Sequence, residues 1–303
     1  MSARLSAAFA GMTGETRGAI GMVTAMFLFI CMDSMAKALG EILPPMQVVW
    51  ARYAGQTLLL MAVFAPTLGQ RLRTAAPGLQ GLRSVLLFCA TSLFFTGLSV
   101  MKLAEATALM EVSPLMITAL AALVLREPVG PRRWAAVAVG LVGALVIIRP
   151  GLGVFQPAAL LILGAAACLA GYQIATRMMG AADSIWTTML YTTLFGAVVS
   201  SLLMPWIWET PPLEAVPLMA AMGVIGFGGH LCLVWALGQA PASVLAPFNY
   251  SQMIWSVLIG WLVFAELPDG PTLAGAGIII AAGLYVWHRE RVRTVPRPAP
   301  PPG

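Results

Sequence analysis

The chain has 303 residues, 59% of them hydrophobic and only 10% charged, with a net charge of +5. About a quarter of the residues in a water-soluble domain are charged, so this composition excludes an ordinary soluble globule. The basic excess falls in short loops between apolar runs, where it orients helices against anionic lipid, so it gives no reason to expect nucleic acid.

Residues 1–17 carry Arg4 and Arg17. The apolar run 7–12 is too short for the core of a signal peptide, so this stretch reads as a cytoplasmic lead-in. A membrane span needs about 20 mostly apolar residues. Runs at 18–39, 46–65, 79–101, 104–125 and 132–149 supply five, and runs at 157–179, 184–206, 214–237, 242–264 and 271–288 supply five more. Pro44-Pro45, Pro77-Gly78, the Pro128–Pro131 turn, Pro150-Gly151 and Pro211-Pro212 punctuate them, as helix breakers should. The tail 289–303 is basic, then Pro-rich, and belongs on the cytoplasmic side. The expected fold is therefore an all-α membrane protein of ten transmembrane helices, with both termini inside.

Arg71, Arg73, Arg83, Arg126, Arg132, Arg133, Arg177 and the tail arginines then lie inside, against Lys37, Lys102 and Arg149 outside. That asymmetry is the positive-inside pattern of a bacterial-type inner membrane protein. The sequence also repeats itself. Arg126-Glu127-Pro128-Val129-Gly130-Pro131 is answered by Ala265-Glu266-Leu267-Pro268-Asp269-Gly270-Pro271. Pro131 and Pro271 are 140 positions apart, as are Gly143 and Gly283. Five spans per repeat is an odd number, so the second copy (157–288) must be inverted relative to the first (18–149). The first turn carries bases and the second carries an extra acid, as inversion requires.

These residues, with Trp50-Ala51-Arg52-Tyr53 in the second run and Pro114 to Glu127 in the fourth, resemble the drug/metabolite transporter superfamily, and within it two EamA-type repeats over 18–288. In the second half Met253 stands where the first has Pro114, so that helix break is either absent or shifted to Pro247. The resemblance implies export or exchange of small metabolites, commonly amino acids. Some relatives import riboflavin or S-adenosylmethionine. The residues alone leave open a channel, a scramblase or a membrane-embedded enzyme, although no nucleophile, phosphate loop or metal cluster suggests the last. With two histidines and with Cys31, Cys89, Cys168 and Cys232 scattered in apolar runs, no metal and no cofactor is expected.

An ionisable group in hydrocarbon costs about 2.5–3.5 kcal/mol on insertion scales, so intramembrane charges mark candidate sites. Counted from the ends of their spans, Asp33, Arg52 and Glu111 all lie about 9–11 Å below the outer ends, at about 1.5 Å per residue. They are expected to form one charge cluster, with Lys37 free to reach the interface. In the second half Tyr172 and Gln173 match Asp33, and Tyr191 matches Arg52. Asn249, Gln252 and Trp255 share one face near the Glu111 counterpart. His230 follows Gly226-Phe227-Gly228-Gly229 mid-span, where a proton relay is one reading and a neutral packed imidazole the other. The expected partners are a small-molecule substrate, membrane lipid and, through Asp33, Glu111 or His230, protons as the coupling ion.

Overall fold

The computed structural model describes residues 12–150, 157–180 and 183–294. In chain order the helices are α1 (Gly14–Gly40), α2 (Pro45–Phe64), α3 (Pro77–Leu98), α4 (Leu103–Met110), α5 (Ser113–Val124), α6 (Pro131–Ile148), α7 (Ala158–Met179), α8 (Ile185–Ile207), α9 (Ala215–Gln239), α10 (Ser251–Phe264) and α11 (Gly270–Thr294). A 3₁₀ turn (Ala65–Thr67) and a single helical turn (Leu68–Arg71) follow α2; a short helix (Ala242–Leu245) and a 3₁₀ segment (Ala246–Tyr250) precede α10. Among the described residues nine segments are long and apolar enough to span a membrane, with α4 and α5 together forming one of them. The tenth apolar run, 242–264, is present but broken. The protein is an all-α membrane protein built from two repeats of five spans.

Local chemistry fixes the helix starts. Thr13 caps α1 by accepting from the Thr16 amide at 3.3 Å, and Ser184 caps α8 by accepting from the Thr187 amide at 3.1 Å. Pro45, Pro77 and Pro131 sit at first helical positions, where the missing N–H has no cost and the fixed φ suits the helix. The first span begins at Gly14, four residues before the apolar run suggests, because the Thr13 cap lets the helix start in polar sequence.

The break between α4 and α5 also has a local cause. Pro114 offers no N–H to the Met110 carbonyl, so the helical ladder stops at Met110 and restarts at Ser113. Pro247 has the same effect in the second half, and the chain tightens into the 3₁₀ segment there.

Packing is reciprocal between the halves. The first helix of each repeat lies against the third helix of the other: α1 on α9, and α7 on α3. The second helices, α2 and α8, face one another, as do the fifth, α6 and α11. Small residues permit the closest approaches. A Cβ on Gly55 would lie 2.9 Å from the Gly223 Cα, and a Cβ on Gly275 would lie 2.6 Å from the Gly143 carbonyl oxygen. Lys37 at the end of α1 meets Glu266 just before α11. The start of α1 and the end of α11 therefore emerge together on the opposite face, called here the terminal face; the other is the far face.

Candidate functional site

The two broken helices meet at one point. Glu111 ends α4, its backbone N–H donating to the Thr107 carbonyl at 3.2 Å. The break turns its side chain toward α10, where Gln252 Nε2 donates to Glu111 Oε1 at 2.5 Å. Glu111 is only 4% exposed. These two residues are 141 positions apart, against a repeat of 140, so they are near-equivalents under the repeat. A bond between equivalent residues must lie close to the local two-fold axis relating the halves.

Beside this bond is a cavity of about 340 Å³. Glu111, Pro114, Tyr250 and Gly283 line it, and Glu127, Arg133 and Arg177 lie toward the terminal face. Gly283 packs directly on the Tyr250 ring, and an added Cβ would displace the Tyr250 hydroxyl. Glu127 and Arg177 pair at 3.1 Å across the mouth, with side chains 40% and 52% exposed. The cavity is thus apolar-walled, carboxylate-ended and charge-rimmed, as a small-molecule site should be.

The far face is held together by polar ties. Lys37 Nζ lies 3.2 Å from Glu266 Oε1 and donates to the Met101 carbonyl at 2.8 Å. Lys102 donates to the Leu267 carbonyl at 3.2 Å, and Arg149 pairs with Asp269 at 2.5 Å. Hydrogen bonding by Thr272 and Arg149, working against partial burial, holds the Asp269 carboxyl down at about 2. Gln47 grips Glu209 through both its backbone carbonyl (2.8 Å) and amide (3.0 Å). The expectation that Lys37 reaches the interface is therefore overturned: its side chain is buried under these contacts.

On the terminal face Asp183 gathers the Ala75 amide (3.0 Å), the Thr74 hydroxyl and Gln80 Nε2 (2.7 Å). Burial pushes its carboxyl up, but these hydrogen bonds and the Arg83 charge together bring it below the usual carboxylate range. Arg83, 1% exposed, donates to Thr176, Gln80 and Tyr172 at 2.8, 3.0 and 3.0 Å.

The sequence candidates fall into separate places. Glu111, Gln173 and Asn249 line the cavity, and Gln252 holds Glu111. Asp33 and His230 lie within electrostatic reach of Arg52, whereas the bonded partner of Glu111 is Gln252. The expected single cluster is split because equal depth does not imply equal azimuth: Asp33 and Arg52 ride on α1 and α2, while Glu111 is swung toward α10. The Arg52 guanidinium lies 5.7 and 5.5 Å from the Tyr53 and Phe95 rings, and its Nε finds no partner among the described residues. His230 stands edge-on to Phe29 at 4.9 Å. Tyr172 serves Arg83, Tyr191 donates to the Leu72 carbonyl at 2.6 Å, and Trp255 packs edge-on to Phe27 at 5.1 Å. Arg83, expected only as a base at the inner interface of the 79–101 run, lies six residues inside α3 and was not among the candidates. Sequence reasoning also missed the pairs Lys37–Glu266 and Glu127–Arg177, although the recurrence of glutamate in the repeat signature pointed to them.

Comparison with known proteins agrees with the repeat. The pattern of the EamA-like transporter family matches residues 16–149 and again 156–287. The riboflavin transporter of Vibrio cholerae is 32% identical, over 91% of this chain and 95% of its own. The S-adenosylmethionine uptake transporter of Rickettsia bellii is 29% identical, over 86% and 89%. The pseudopaline exporter of Pseudomonas aeruginosa is 27% identical, over 90% and 97%. A solved crystal structure superposes with a TM-score of 0.63 at 17% identity, covering 92% of this chain and 99% of that one, which is a likeness of fold.

Proposed function

The chain belongs to the EamA-like transporter family, and from that membership we propose a secondary carrier that moves a small metabolite across a bacterial inner membrane by alternating access. The terminal face, rich in arginine, is cytoplasmic in this reading. The observation that carries it is the Glu111–Gln252 bond beside the cavity. A residue on the local two-fold is the same distance from both faces. It can therefore serve one substrate site whichever face is open, which is what a midplane site between inverted repeats demands.

The substrate is a small polar or amphipathic compound, an amino acid or a relative of one, held between Glu111 and the polar rim. Export or exchange fits a cavity reached from the arginine-rich face. A second reading, uptake of a vitamin- or nucleoside-like compound, is favoured by the Vibrio and Rickettsia relatives, and Tyr250 and Trp287 offer ring surfaces for it. Nothing in the family match points to enzymatic turnover. Glu111 is the proposed coupling group, alternately holding a proton and a substrate contact.

Purified protein in liposomes tests this with a panel of labelled metabolites. Saturable counterflow of one compound supports a carrier; flux that rises linearly with concentration supports a channel instead. Glu111→Gln is expected to abolish accumulation driven by a pH gradient while sparing counterflow, since exchange needs no net proton movement. Wild-type flux indifferent to an imposed pH gradient removes the coupling role.

A further inference from the structure

Two ion pairs already described have the same construction. Lys37 and Arg177 are 140 positions apart, and Glu127 and Glu266 are 139 apart. Each pair joins the first helix of one repeat to the turn between the fourth and fifth spans of the other: Lys37 of α1 to Glu266, and Arg177 of α7 to Glu127.

The local geometry is duplicated as well. Arg126 and Ala265 both adopt the left-handed conformation, at φ 55° and 53°. The next amide, Glu127 or Glu266, donates back to the carbonyl six residues earlier, Ala121 at 3.2 Å or Gly260 at 3.0 Å. In both turns the helix closes on a left-handed residue, the usual way of meeting its last carbonyls. Glycine is the usual residue at the left-handed position, and neither turn has it. Both halves thus hold an unfavourable backbone that sets a glutamate at the helix end. Chance pairing of surface charges explains neither the repeated spacing nor the repeated strain.

The two copies differ in surroundings. The Lys37–Glu266 pair is sealed, with side chains 5% and 26% exposed and the Met101 carbonyl as third partner; the Glu127–Arg177 pair is 40% and 52% exposed over the cavity mouth. Water weakens an exposed pair far more than a buried one.

We propose that these pairs are one latch built twice, Lys37–Glu266 holding the far face closed and Glu127–Arg177 the terminal face, each released in opposite halves of the transport cycle. The far latch is the more buried of the two and the terminal latch the more exposed, the asymmetry expected of a molecule about to open toward the terminal face. This rests on the alternating-access reading above.

Labelling of single cysteines tests it in the full chain, with Cys31, Cys89, Cys168 and Cys232 replaced and no substrate present. Leu109→Cys reports beneath the far latch, since Leu109 lines a small far-face pocket with Lys102 and Asp269; Thr118→Cys reports in the main cavity. Lys37→Gln is expected to raise the thiol-reagent labelling rate at 109 and lower it at 118, and Arg177→Gln to do the reverse, each by at least about fivefold, the lower end of typical coupling strengths. The reversed pairs, Lys37→Glu with Glu266→Lys and Arg177→Glu with Glu127→Arg, should restore the wild-type pattern. Shifts in the same direction for both single variants overturn the latch, as do reversed pairs that fail to restore it. Where a single variant does not fold, its reversed pair decides. If labelling responds but no metabolite is carried, the latch stands and the carrier reading falls; if a metabolite is carried and labelling does not respond, the latch alone falls.

Discussion

At the scale of single residues, the buried charges separate into those that hold the molecule together and those that face the cavity. Lys37 belongs to the first group. Removing it leaves Glu266 facing a former partner site, so Lys37→Ala should destabilise the fold by about 2–3 kcal/mol, somewhat less than the ~3–5 kcal/mol of a fully buried pair because Glu266 retains some water. Thermal denaturation in detergent would check this; a loss under about 0.5 kcal/mol would show the pair to be ornamental. The left-handed Ala265 invites the opposite change. Ala265→Gly relieves a backbone that costs non-glycine residues about 1–2 kcal/mol, and after the extra freedom of glycine in the unfolded chain a gain of about 0.5–1 kcal/mol remains. Asp183 sets an acid limit. Its carboxyl lies below the usual range in the folded state, so the stability it adds is complete above its unfolded value near 3.9 and is lost as pH falls through the folded value. Unfolding from pH 7 down to about 4 should therefore be unaffected by Asp183→Asn in its slope, with the variant and wild type converging only in stronger acid.

At the scale of elements, the ten apolar runs and their turn residues were plain in the sequence because hydrocarbon demands both length and breakers. Partnership between helices was not. Counting residues along a span gives only an expected depth for Asp33, Arg52 and Glu111, and the direction a side chain faces around the bundle depends on neighbours that only the fold supplies. Tyr172 and Tyr191 show the same gap: a mid-span tyrosine suits a cavity wall, and each in fact satisfies a structural partner, Arg83 in one case and the Leu72 carbonyl in the other. Glycine positions were legible only as small residues. Their use as contact points predicts that Gly55→Leu separates α2 from α9, since the first added carbon already meets the backbone of Gly223 rather than a movable side chain. Folded yield should fall sharply in that variant, whereas Gly69→Leu, with nothing within 4 Å of its added carbon, should fold normally.

At the scale of the whole molecule, the inverted repeat was readable from two short turn signatures, and the structure adds that the halves interleave rather than sit side by side. First helices pack on the third helices of the opposite half, so neither repeat has its own closed core, and expression of residues 1–150 alone should give no folded five-helix unit. Interleaving also explains why the ties at the two faces look alike while differing in strength: the same pieces of chain recur at each end, in different surroundings. The Glu111–Gln252 bond has a further consequence. Two identical five-helix chains assembled about the same axis would bring two carboxylates within bonding distance, and like charges so close cannot both stay ionised. One of them would have to keep a proton permanently, and the site would lose a free acid. A covalently joined chain escapes that constraint, because its two halves mutate independently: one side keeps the carboxylate, and the other becomes an amide that donates to it. Joining the two halves in one chain thus does more than fix stoichiometry, since it makes the centre of the transporter chemically unequal.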